Sequence, residues 1–362
     1  MALITSLSMT ISEARSDKKP FTSTIMHKLE VDSVDSGGTL IFSDSPEYVN
    51  DNGILYSDIV EGDARILFYH LNNSFVNKRL AVIVENVSDQ FNTVDINRGA
   101  ITDPSADFLY VGKTVQTDYM KKSFHSSIYM LKNDRKLFLD EISSYLIKPG
   151  QLLYGVYDFN AAHPVKISVL MYPQAADPLE FSKWAKILPK DEQRLRGTFK
   201  NMNRTITTKK IYDPDKDGIG YIMLADDVND LFKVGIDATD NSEVTNYGNY
   251  GINYTINLKT ASDSATRICL TPLGGYYAGA MRSFYNSKTN VFLTPPGRIY
   301  FGDKTPKEPE NVTKAREEGL AIFTNHTELA ELGNYIGEVS FEFSPPGASN
   351  LPVHIILMPK DN

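Results

Sequence analysis

The chain has 362 residues, enough for one large hydrophobic core or two of ordinary size. Apolar residues make up 41% and charged residues 23%, the balance of a globular protein with a solvated surface. Lysine and arginine total 37 against 45 aspartate and glutamate, so the net charge of −8 disfavours nucleic acid and anionic membrane as partners. The single cysteine, Cys269, excludes an intramolecular disulfide and, inside "TRICLTPL", reads as a buried thiol.

The N-terminus, "MALITSLSMTISEARSDKKP", carries an apolar, small-residue run from Ala2 to Ile11 that no basic residue precedes. Two readings stay open for residues 1–23: a signal-peptide remnant with a flexible tail, or a short strand showing Leu7, Met9 and Ile11 on one face. No run approaches the ~18–20 apolar residues of a membrane span. Further along, "ARILFYHL" (64–71), "RLAVIVENV" (79–87) and "PVKISVLMY" (164–172) are β-branched and aromatic runs separated by Gly, Pro, Asn and Asp clusters.

In "DPLEFSKWAKILPKDEQRLRG" Asp177 can cap a helix and Pro178 suits its first position. Phe181, Trp184, Ala185 and Leu188 then fall on one face, which predicts a helix at 177–197. After it come "INYTINLK" (252–259), "EVSFEFS" (338–344) and "PVHIILM" (352–358), interrupted by a charged, proline-bearing excursion at 305–319. The expected fold is mainly β: two antiparallel, jelly-roll-like β-sandwich domains at 24–175 and 206–362, joined by a helical connector at 176–205.

Three patterns bear on chemistry. In "IYDPDKDGIGYIML" the carboxylates Asp213, Asp215 and Asp217 alternate and end at Gly218, as at the start of a Ca²⁺ loop. Ile219 could offer its carbonyl and Asp226 and Asp227 could complete the shell, but Leu224 stands where an EF-hand needs glutamate. The stretch therefore reads either as a structural calcium staple or as turn chemistry between strands.

Second, glycines beside tyrosines in "NYGNYGINYTI" and "PLGGYYAGAM" mark Tyr247, Tyr250, Tyr254, Tyr276 and Tyr277 as a candidate stacking platform for a sugar or peptide. The alternative is tight turns with tyrosines filling a sandwich edge. Third, the six histidines are scattered, without H-x-H or H-E-x-x-H spacing, and His70 and His354 sit inside apolar strands as core residues would. With no nucleophile elbow, phosphate loop or dinucleotide motif, the chain reads as no enzyme, although carboxylate pairs leave a glycoside-acting hydrolase formally open. Six Asn-x-Ser/Thr sequons, at Asn72, Asn86, Asn203, Asn253, Asn311 and Asn325, are uninformative in a chain this rich in Asn and Thr.

The phrases "FSDSPEYVNDNGILYSDIVEGDARILFYHLNN", "ITDPSADFLYVGKTVQ", "NYGNYGINY", "PLGGYYAGAM" and "SPPGASNLPVHIIL" resemble a group of uncharacterised secreted bacterial proteins associated with the copper amine oxidase N-terminal-like, or stalk, domain. The resemblance runs from about Thr24 to Pro359 and implies export to the cell surface or medium. It implies no copper or quinone cofactor here, because each Asn-Tyr is followed by Gly, Thr or Ile where the quinone would need an acid, and no His-x-His exists. The expectation is a secreted, non-catalytic structural or interaction protein at the cell envelope, partnered by itself, another protein or a glycan. The alternative is a carbohydrate-binding protein using the Gly/Tyr segments, with Ca²⁺ as a structural ion.

Overall fold

The computed structural model describes residues 24–121, 123–272, 276–300, 321–323, 330–349 and 351–360. Residues 1–23, the 305–319 excursion and the sequons at Asn311 and Asn325 lie outside the described residues, so the readings made of them do too.

The chain is mainly β, and each strand-like run of the sequence is a strand. Period-2 alternation explains how one strand serves two cores. In Thr39–Ser43, Leu40 and Phe42 enter one apolar cluster while Ile41 enters another. Two long strands, Gly53–Asn72 and Leu152–Pro173, pair antiparallel from Leu152 opposite Leu71 to Met171 opposite Gly53. Their register shifts between Ala161 and Val165, and the neighbour changes at the same point. Asn92–Ile101 pairs before the shift and Lys78–Asn86 after it. A register shift of this kind bends a sheet. Val82 and Val84 from one side, with Phe138 beside them, thereby share a core with Val94, Ile96 and Phe159 from the other.

These strands belong to an eleven-stranded sheet. Two six-stranded sheets form a second layered unit. Ile222, Ile268 and Ile355 of one pack with Tyr254, Ile256 and Phe341 of the other, in a core that continues to Leu67 and Tyr154 of the large sheet. Most pairings are antiparallel, but Thr39–Ser43 runs parallel to Gly53–Asn72, Thr24–Lys28 to Ile219–Leu224, and Asn203–Thr208 to Asn253–Lys259.

The sheets do not part at the expected connector, 176–205. Thr24–Lys28 and Val31–Ser36 join the two six-stranded sheets, whose other strands come after residue 200. Conversely, Arg196–Lys200, Lys233–Asp237 and Ser242–Asn246 extend the eleven-stranded sheet. Each half thus lends strands to the other, which local periodicity cannot reveal.

The helices also differ from expectation. Asp177 caps as expected, accepting from the Glu180 N–H at 2.9 Å, but the helix covers only Pro178–Ser182 rather than 177–197. Phe181 is buried and anchors that single turn, Trp184 is 69% exposed, and Leu188 reaches the core from extended chain, its N–H donating to the Ile54 carbonyl at 2.8 Å. The longest helix among the described residues, Phe108–Lys121, was not anticipated. Its signals are Asp107, whose Oδ1 accepts from the Tyr110 N–H at 3.2 Å, and Val111, Val115 and Tyr119 at four-residue spacing, all buried. β-branched and aromatic residues with weak helix propensity obscure that pattern, and packing overrides propensity. A Cβ on Gly112 would lie 2.1 Å from the Gly347 carbonyl oxygen, so the absent side chain lets the helix press on the 346–349 turn.

Candidate binding site

The 346–349 turn forms one wall of a cavity of about 290 Å³ between the large sheet and the loops of the second unit. Its apolar floor is Phe42, Leu67 and Leu195; Tyr69 and Tyr250 supply aromatic walls, backed by the fully buried Tyr154; Asp44 and Glu47 supply charge. The tyrosines Tyr69 and Tyr154 stand on the two long central strands, edge to face with centroids 5.7 Å apart. Strand placement holds them rigidly, which a binding surface requires.

Tyr250 is delivered by the "NYGNYG" segment. Asn246 clamps the turn by donating from Nδ2 to the Tyr250 carbonyl at 2.8 Å and accepting from the Tyr250 N–H at 2.9 Å. Asn249, in the left-handed conformation with φ 54°, is fully buried and bonds the Lys233 N–H, the Leu231 carbonyl and the Tyr254 hydroxyl. At Gly251, with φ 79°, a Cβ would meet Leu40 Cδ1 at 2.9 Å, so the turn sits directly on the core. The Tyr250 hydroxyl donates to the Ser349 carbonyl at 2.9 Å and fixes the ring against the cavity.

The acidic side is built where Thr39–Ser43 ends. Asp44 leaves the sheet with its N–H donating to the Leu195 carbonyl at 3.0 Å. Asp191 organises the following turn: it accepts from Ser45 Oγ and from the Glu47 N–H, both at 2.8 Å, and from the Arg194 N–H at 3.0 Å. Both Asp191 oxygens thereby have donors, while Asp44 Oδ1 is shielded from solvent and has no hydrogen-bond partner. Burial, then the charges of Glu47 and Asp191, push the Asp44 carboxyl well above its ordinary range. Burial and Asp191 raise Glu47 as well. Tyr69 and Tyr250 are pushed upward by burial and by the same two carboxylates, so both remain neutral phenols.

The structure scatters the other expected tyrosines. Tyr254 and Tyr277 are fully buried core residues and cannot stack a ligand. Tyr247 is 57% exposed and packs edge to face on Phe232, away from the cavity lining. The Tyr276 side chain lies outside the described residues. Of the five, only Tyr250 reaches the cavity, where Tyr69, Tyr154, Asp44 and Glu47 join it without having been anticipated.

The expected calcium ligands do not converge. Asp213 accepts from Lys216 Nζ at 2.6 Å and from the Asp215 N–H at 3.0 Å, while Asp217 accepts from the Asp213 N–H at 2.7 Å. Ile219 begins a strand and packs beside Met26 and Tyr221. Asp226 accepts from the N–H groups of Val228, Asn229 and Asp230, and Asp227 from that of Phe232. The carboxylates of Asp213, Asp217, Asp226 and Asp227 thus serve their own turns. Among the described residues no group of three or more His, Cys, Asp or Glu side chains is arranged to hold a metal ion.

The core readings fare better. His70 is fully buried between Ser43 Oγ at 2.8 Å and the Pro46 carbonyl at 2.9 Å, His354 packs edge to face on Tyr221, and Cys269 is buried. Two sequons are inaccessible, because Asn72 and Asn86 are fully buried anchors of matching turns, donating to the Val76 and Gln90 carbonyls at 2.8 Å. Among the described residues, no helix is long and apolar enough to cross a membrane.

No family model and no curated protein matches the chain. Among solved structures, tandem CBM51 modules of the family 98 glycoside hydrolase from Streptococcus pneumoniae align over 94% of this chain and 97% of their own, at 10% identity and a TM-score of 0.18. The 7S globulin of Momordica charantia aligns over 83% of this chain and 78% of its own, at 8% identity and a TM-score of 0.13. At such TM-scores neither likeness carries an argument about this chain.

Proposed function

We propose that the protein is a non-catalytic, exported binding protein that seats one carbohydrate unit in the Tyr69–Tyr154–Tyr250 cavity. The observation that carries this reading is the combination of three tyrosines with two carboxylates around about 290 Å³. Aromatic walls offer flat surface to the C–H face of a sugar ring, and carboxylate oxygens accept from its hydroxyls. Binding pockets start at about 300 Å³, so the cavity suits one ring or a chain end better than an extended polymer.

Isothermal titration against a panel of small oligosaccharides tests the reading, with Tyr250→Ala as the control. Saccharide binding that the substitution weakens about tenfold or more supports it, since aromatic contacts of this size contribute on the order of 1–3 kcal/mol. Binding that ignores Tyr250→Ala would place the site elsewhere.

A second reading, self-association at the envelope, has its own support. Ser242–Asn246 ends the eleven-stranded sheet, and beside it Val234, Ile236 and Tyr247 are 56%, 48% and 57% exposed. An edge strand with apolar neighbours favours strand addition between copies. Light scattering at high protein concentration tests it, and a strict monomer would remove it.

A further inference from the structure

The charge around the cavity says more about what enters it. Elsewhere the chain pairs the carboxylates it buries most deeply: Asp230 with Arg204, Asp237 with Arg196 and Lys190, and Glu342 with Arg98 and Arg282. The cavity breaks this habit. Its lining among the described residues holds Asp44 and Glu47 and no lysine, arginine or histidine. The neighbouring Asp191 is a further acid, and it accepts from Ser45 Oγ and from the Glu47 and Arg194 N–H groups. Asp44 Oδ1 meanwhile has neither solvent nor donor.

A neutral ligand closing over this arrangement would either trap Asp44 in its protonated form or bury its charge beside Glu47 without compensation, and both are costly. A cation would complete both carboxylates, and the π-faces of the flanking tyrosines attract cations as well. We infer that the ligand brings a protonated primary amine to Asp44 and Glu47, so that the saccharide preferred by the cavity is an amino sugar with a free amine. This inference rests on the carbohydrate reading above and narrows it.

Calorimetry at pH 7 with a chitosan trisaccharide bearing free amines, compared with its fully N-acetylated counterpart, separates the two claims. The expected result is about 10- to 100-fold tighter binding of the free-amine form, the range of one or two charge-assisted hydrogen bonds. That preference should fall to within about threefold in both Asp44→Asn and Glu47→Gln, each retaining the wild-type circular dichroism spectrum. Equal or tighter binding of the acetylated form, weakened by Tyr250→Ala, would overturn the amine inference and leave the carbohydrate reading standing. A free-amine preference that survives both carboxylate substitutions would also overturn it. Binding of neither trisaccharide would overturn the inference, and a silent oligosaccharide panel alongside would overturn the reading beneath it.

Discussion

Asp44→Asn should make the protein more stable at neutral pH, the reverse of what substituting a buried polar residue usually does. Asparagine keeps the shape and removes the charge. In the native state Asp44 Oδ1 is shielded and unpartnered, and burial with Glu47 and Asp191 raises its carboxyl well above the ordinary value. The unfolded chain releases that proton near pH ~3.9 while the native chain still holds it. Between about pH 4 and the raised native value the folded state binds more protons, so this group subtracts stability as pH rises.

The substitution leaves an unpaired acceptor in place and relieves only the cost of the buried charge, which is on the order of 1–3 kcal/mol. With an unfolding entropy of roughly 2.1 cal/mol/K per residue, a single cooperative transition of this chain would shift by about 1–4 °C. Thermal unfolding followed by circular dichroism at pH 7 should show the variant higher by that amount, and at pH 4 or below the two proteins should coincide. A variant less stable than wild type at pH 7 would mean that Asp44 already has a favourable partner. The uncompensated cavity, and the amine inference with it, would then fall.

Other groups give independent tests. Arg196 is 3% exposed, pairs with Asp237 at 2.9 Å and donates to the carbonyls of Ser45, Leu55 and Leu188. Arg196→Met should cost about 3–5 kcal/mol by urea unfolding, because it leaves the buried Asp237 with Lys190 as its one remaining cation and takes the donor from three carbonyls, and a loss below about 1 kcal/mol would refute that role. Burial holds His70 and His354 neutral, lowering each from 6.5 to about 4. In that window the unfolded state binds more protons, so stability should decline from pH 6.5 toward 4 by on the order of 3 kcal/mol per histidine, and a flat urea profile between pH 7 and 5 would contradict it. Because Asp213 and Asp217 are engaged within their own turn, millimolar Ca²⁺ should leave the thermal midpoint unchanged within about 1 °C. A Ca²⁺-dependent rise abolished by Asp215→Ala would restore the loop as a metal site.

The contrast between what the sequence shows and what it hides follows from range. Strand runs such as 79–87 and 352–358 are legible because alternation is local, and burial of His70, His354 and Cys269 follows from lying inside such runs. Phe108–Lys121 carries its cap and its Val111–Val115–Tyr119 spacing in plain view, but its residues favour strands, and only contact with the large sheet and the 346–349 turn settles the matter. The Gly/Tyr segment points to Tyr250 and equally to Tyr254, since nothing local distinguishes a tyrosine facing a cavity from one facing the core.

The acidic site is out of reach for a further reason. Asp191 lies 144 residues from the Glu47 N–H that it binds, and Ser349 lies 99 residues from the Tyr250 hydroxyl. The lining is drawn from 42–47, 67–69, Tyr154, 193–195, Tyr250 and 347–349, and so from both sides of the connector. Neither 24–175 nor 206–362 contains the cavity, and the strands the two halves exchange are what bring its walls together. Binding should therefore require the intact chain, since cutting at the connector would divide Tyr250 from Tyr69 and Tyr154 as well as from part of the sheet that holds them.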